Sequence, residues 1–291
     1  MKKILFRGSA TAMVTPFDKN NKINFEIWEK LVDFQISNNT QALVILGTTG
    51  ESPTVTYEER TEIISRIVKK VNKRIPVIIG TGSNSTKTAV RLSKEAQELG
   101  ADAVLIVTPF YNKTSQAGVI KHYEYIASKI NLPIIVYNVP SRTGLNILPE
   151  TYKELSKINN IIATKEANGD ISSIIETKFL CGDDLNIYSG NDDQTIAINS
   201  VGGIGVISVL SNILPNETQK IASGDSKLLF KYYDLAKNLF CDVNPIPVKY
   251  ALNYLGINCG NCRLPLCDLN ESSKNKIINL INKHKIKINL D

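Results

Sequence analysis

Eight short, nearly unbroken apolar runs, each followed by a helical pattern, constrain this chain more than any other feature. The clearest occupy residues 42–46, 77–79, 103–107, 134–136 and 161–163, and weaker ones lie at 9–14, 185–188 and 204–207. A half-exposed strand alternates apolar with polar residues, whereas an unbroken run suits a strand buried on both faces, as in a parallel sheet. The intervening segments read as helices. Thr56 with Glu59 forms a capping box ahead of Ile63, Ile64, Ile67, Val68 and Val71 on one face. Ala89, Leu92, Ala96 and Leu99 make a second stripe, and Gly100 stops it. Strand and helix alternating eight times predict an α/β fold, a (β/α)8 TIM barrel, over residues 1–225. Residues 226–291 read as helices without strands, a small C-terminal helical domain.

At 291 residues the chain is long enough to build such a barrel as one unit. Its 34 basic and 28 acidic residues leave a net charge of +6, much of it within 274–287. No aromatics interleave those lysines to stack bases, so they read as a solvated helix face and no nucleic-acid partner is expected. The opening Met-Lys-Lys-Ile-Leu-Phe is cut short by Arg7 and Gly8, too early for a signal peptide. No later run is long enough to span a bilayer, so no membrane partner is expected either. Five cysteines, an odd number, fit free thiols in a reducing cytoplasm. Cys259, Cys262 and Cys267 are spaced C-x2-C-x4-C but lack a fourth ligand, the nearest histidine being His284, so no metal is expected.

In barrels of this kind the reacting groups sit at the C-terminal ends of strands. The second strand exits into Gly47-Thr48-Thr49-Gly50-Glu51-Ser52 and the fourth into Thr108-Pro109-Phe110-Tyr111-Asn112. The fifth ends at Tyr137 and runs into Asn138-Val139-Pro140-Ser141-Arg142-Thr143-Gly144, and the sixth ends at Thr164-Lys165-Glu166. A lysine in water, with a pKa of about 10.4, is a poor nucleophile near neutrality. Desolvation at the end of an apolar strand favours its neutral amine, which can attack a carbonyl. A lysine reaching out to solvent is the plain alternative, but Lys165 has company. Tyr137, on the neighbouring strand, offers a phenol for proton transfer. Thr48 and Thr49 offer hydroxyls and backbone N–H groups, and Arg142 a fork for a carboxylate. Neither histidine, His122 or His284, falls at a strand end. The glycines at 202, 203 and 205 precede a strand, unlike those of a dinucleotide fingerprint.

Taken in order, GTTGES, TPFYN, YNVPSRTG, the lysine of ATKEA, GGIGVISV and the RLPL stretch resemble the dihydrodipicolinate synthase family over nearly the whole chain. The resemblance implies a Schiff-base-forming lyase that condenses pyruvate with L-aspartate 4-semialdehyde, the first committed step of diaminopimelate and lysine biosynthesis. Lys165 would form the imine, with no separate cofactor, and Tyr137 would donate and accept protons. Thr48 and Tyr111 would complete a hydroxyl relay. Thr49, the backbone of Ile207, and Gly190 would bind substrate, and Arg142 would take the semialdehyde carboxylate. In this family Tyr111 enters the neighbouring subunit's site, which implies a homotetramer built as a dimer of dimers. Related pyruvate aldolases, such as N-acetylneuraminate and 2-keto-3-deoxygluconate lyases, are the alternative. N-acetylneuraminate lyases share the lysine and tyrosine but generally lack the SRTG arginine and carry Ser-Thr where Thr48-Thr49 stand. A barrel kept only for binding would be expected to have lost Lys165, Tyr137 or Arg142, and all three are present. Lysine-inhibited members carry histidines where Tyr57 and Arg60 stand, a glutamate near Thr88 and a tyrosine at Phe110, so insensitivity to lysine is expected.

Overall fold

In the computed structural model, which describes residues 2–290, eight parallel strands close on themselves in chain order. They are β1 (Gly8–Ala12), β2 (Ala42–Ile45), β3 (Val77–Gly80), β4 (Ala103–Val107), β5 (Ile134–Asn138), β6 (Ile161–Glu166), β7 (Asn186–Ser189) and β8 (Gly205–Ser208). β8 returns to β1 through Gly8 opposite Gly205. The apolar runs explain the closure, because each strand is buried on two faces. One set of side chains, including Ala10, Val44, Ile78, Leu105, Ile135 and Ile207, fills the barrel interior. The alternate set, including Leu43, Ile45, Val104 and Ile106, packs outward under the helices with Trp28, Ile63 and Ile67. This is the (β/α)8 architecture.

Local signals behave as their chemistry requires. The Thr56 and Glu59 side chains and backbones cap each other at the start of the Tyr57–Val71 helix, and Gly100, at φ +87°, ends the next. β2 stops one residue short of its apolar run because Leu46 turns to φ +58°. That turn is admitted by Gly80 on the next strand, where a Cβ would lie 2.1 Å from the Leu46 carbonyl oxygen. β6 runs past the apolar segment 161–163 to include Thr164, Lys165 and Glu166. Beyond the barrel lie helices Ser226–Asn238, Ile246–Tyr254 and Glu271–Lys283. Their buried residues Leu235, Val248, Ala251 and Ile277 belong to the same apolar cluster as Trp28 and Ile63. On the last helix Lys274 is half-buried and Lys283 exposed, paired with Glu271 and Asp234 respectively. Among the described residues no helix is long and apolar enough to cross a membrane. All five cysteines are free, and no group of three His, Cys, Asp or Glu among the described residues is arranged to hold a metal ion.

Candidate active site at the barrel mouth

Strand register brings the two principal groups together. Tyr137 on β5 pairs directly with Lys165 on β6, and Lys165 with Tyr188 on β7. The Lys165 ammonium nitrogen lies 4.4 Å from the centre of the Tyr137 ring. Lys165 is only 6% exposed. Burial, aided by the nearby Arg142 cation and opposed by the Asp192 carboxylate, brings its amine down to about 8. With that pKa roughly a tenth to a fifth of the amine is neutral near physiological pH, against less than a hundredth for a lysine in water, and the neutral form can act as a nucleophile. Burial raises the Tyr137 phenol, while the Arg142 charge and a hydrogen bond with Thr48 restrain it.

Thr48 and Thr49 follow β2. The Thr49 hydroxyl is buried and accepts a hydrogen bond from Asn244 Nδ2 at 3.0 Å. The backbone carbonyl of the same Asn244 accepts from Arg142 Nη2 at 3.3 Å. One residue of the C-terminal region therefore ties the threonine turn to the arginine. Arg142 itself is exposed, on the short Pro140–Thr143 helix. A cavity of about 700 Å³ is lined by Thr48, Tyr137, Arg142 and Asn244 and continues to Tyr57 and Arg60. Lys165 is not among its walls, but the Tyr137 ring on which its amine packs is.

Of two other expected residues, one lies in the barrel interior and one beside the lysine. Ile207 is fully buried in β8. Gly190 follows β7, and a Cβ there would come within 3.1 Å of Lys165 Cε. Tyr111 is different. It is 90% exposed, its backbone is left-handed at φ +73°, and within one chain it is not brought to the cavity.

The sequence reading passed over two features. Asp192 is buried, accepts from the Val209 and Leu210 N–H groups through Oδ2 at 3.1 and 3.0 Å, and leaves Oδ1 without a partner. It follows β7 by three residues, within reach of the strand-end rule applied to the exit of the seventh strand. Glu51, given no role when the exit of the second strand was read, forms an ion pair with Lys249 at 2.9 Å, the side chains 1% and 2% exposed. It also accepts the Arg263 N–H at 2.8 Å. Nothing local in sequence joins residues so far apart.

The dihydrodipicolinate synthetase family model matches residues 5–284. A 4-hydroxy-tetrahydrodipicolinate synthase of Clostridium perfringens is 50% identical over 277 residues, covering 92% of this chain and 95% of the relative. One from Alkaliphilus oremlandii is 49% identical over 293 residues, covering 97% and 100%. The crystal structure of dihydrodipicolinate synthase from Thermotoga maritima superposes with a TM-score of 0.93 at 44% identity, covering 97% of this chain and 99% of that one.

Proposed function

The chain belongs to the dihydrodipicolinate synthetase family, and on that premise we propose that it acts as a 4-hydroxy-tetrahydrodipicolinate synthase with Lys165 as its imine-forming residue. The observation that carries the assignment is the buried Lys165 amine held on the Tyr137 ring at the barrel mouth. The neutral amine adds to the ketone carbon of pyruvate, and Tyr137 passes protons as the carbinolamine loses water to give the imine. The protonated imine then acts as the electron sink, so loss of a methyl proton gives an enamine without a separate cofactor. The enamine carbon adds to the aldehyde of L-aspartate 4-semialdehyde. The semialdehyde amine attacks the imine carbon, closing a six-membered ring and freeing Lys165. This would be the first committed step of diaminopimelate and lysine biosynthesis.

The supporting groups follow from their positions. Thr48, hydrogen-bonded to Tyr137, extends the proton path. Thr49, with the backbone of Ile207, binds the pyruvate carboxylate, and Gly190 leaves room beside the Lys165 stem. Arg142 receives the semialdehyde carboxylate. Tyr111, exposed and unemployed in its own chain, enters the site of a second subunit. A homodimer is then the catalytic unit, with a dimer of dimers as the assembly. Free thiols suit a cytoplasmic enzyme. Borohydride reduction with pyruvate should add a three-carbon group to the peptide containing Lys165 and to no other. An unmodified mass, or an adduct persisting in Lys165→Ala, would defeat the assignment.

A further inference from the structure

A second polar cluster lies on the outer face of β6, and the reaction as proposed makes no use of it. Glu166 is 1% exposed. Its carboxylate accepts from the Tyr152 hydroxyl and from Asn138 Nδ2 at 3.2 and 3.3 Å. The Thr164 hydroxyl donates to the Tyr152 oxygen at 3.0 Å. Burial raises the Glu166 carboxyl to about 7, with these hydrogen bonds pulling the other way. A buried carboxyl is costly to keep unless it is fully hydrogen-bonded. The strand pairing shows what this one serves.

On β5 the alternation is regular, with Ile135 and Tyr137 facing the barrel interior and Ile134 and Val136 the helices. On β6 it is broken. Ile161 faces the helices, but Ile162 and Ala163 both pack in the interior cluster. The ladder steps from Ile134 opposite Ile161 to Ile135 opposite Ala163. Regular pleating from Ile161 would turn Lys165 outward, because a one-residue change of register exchanges the two faces. The extra residue reverses that. It sets Lys165 opposite Tyr137 and Glu166 opposite Asn138. A bulge gives up ladder pairing, so the unbulged alignment is its natural competitor. In that alignment Thr164 and Glu166 would face the apolar interior, Tyr152 would lose the carboxylate it donates to, and the Asn138 amide would keep only Asn146 Oδ1, at 2.8 Å, as its acceptor.

We propose that Glu166, with Tyr152 and Asn138, is the register lock of the active site, a set of positioning residues that holds β6 in its bulged alignment and so keeps Lys165 aimed at Tyr137. The proposal rests on the reading of Lys165 as the imine-forming amine. Its test uses the full chain with saturating pyruvate and borohydride, following the initial rate of adduct formation by intact mass, below the melting temperature of every variant. Tyr152→Phe, which removes one hydroxyl, should slow trapping roughly tenfold, and Glu166→Gln at least as much. Both should lower kcat more than they raise KM for pyruvate. The double variant should be no slower than the slower single one, because one lock opens only once. If Glu166→Gln does not fold, Tyr152→Phe decides by its trapping rate alone. Variants that melt earlier yet trap at the unsubstituted rate would reduce the cluster to packing and overturn the proposal, as would fully multiplicative effects in the double variant. Failure of the unsubstituted protein to form any adduct is a separate result, and it would remove the Lys165 reading itself.

Discussion

The two sides of the barrel mouth are built on different foundations. Lys165 and Tyr137 stand on adjacent strands, joined by the β5–β6 ladder and backed by the Glu166 cluster. Thr48 and Thr49 stand on a turn and Arg142 on a single-turn helix, and their supports come from the far end of the chain: Asn244, Lys249 and Arg263. The strand side needs its neighbours in the sheet and Tyr152 of the adjoining Pro149–Ser156 helix. The loop side depends on how the C-terminal region docks. The proposed nucleophile is thereby held in the barrel wall, while the groups proposed to bind carboxylates are set by a second, separable set of contacts.

The largest test of that contrast is Lys249→Ala. It leaves Glu51 charged and buried without its partner, a loss expected to cost about 3–5 kcal/mol of stability. The melting temperature should fall and KM for pyruvate should rise, while Lys165 still forms its borohydride adduct at saturating pyruvate. Equal loss of adduct and affinity would show that the two sides are one unit.

Arg142→Ala probes the loop side alone. Because Arg142 is exposed, losing its contact should cost about 2 kcal/mol in kcat/KM for aspartate semialdehyde, roughly thirtyfold, at the low end for charged hydrogen bonds. The corresponding constant for pyruvate should fall much less, only as far as loss of the Arg142 charge lets the Lys165 amine rise. Comparable losses for both substrates would assign Arg142 to structure.

A smaller effect belongs to the strand side. Only the neutral amine attacks, so kcat/KM for pyruvate should fall on the acid side of the Lys165 pKa of about 8. The loss approaches roughly tenfold per pH unit, because protonation of one group of the free enzyme governs that constant. A profile flat from pH 6 to 9 would mean that the amine is not the titrating nucleophile.

The smallest expected effect is none. Tyr57, Arg60 and Phe110 line the far part of the cavity, where Arg60 already donates to Glu95 at 2.9 Å and to the Gly80 carbonyl at 3.0 Å. An amino-acid ammonium entering there meets the Arg60 cation, against which the exposed, water-screened Glu58 carboxylate of the same lining is a weak counterweight. L-lysine should therefore leave activity unchanged up to about a millimolar, and inhibition below that concentration, equivalent to roughly −4 kcal/mol of binding, would contradict it.

The barrel could be read from the chain because buried parallel strands and their helices leave local marks: unbroken apolar runs, a capping box at Thr56, a stop at Gly100. Lys165, Tyr137, Thr48 and Arg142 could be found because strand ends in this fold point to one face, so a position in a linear pattern becomes a position in space. The same rule named Tyr111 as a candidate, but one chain leaves it in solvent, and the proposed function employs it only in a second copy. Other features had no local mark at all. The bulge at residues 161–163 hides inside an apolar run where one more Ile changes no pattern, yet it decides which way Lys165 faces. The ion pair from Glu51 to Lys249 spans 198 positions. Periodicity is set between near neighbours and survives in the linear order. The facing of a bulged strand and the meeting of distant charges exist only once the barrel has closed and the C-terminal helices have docked on it.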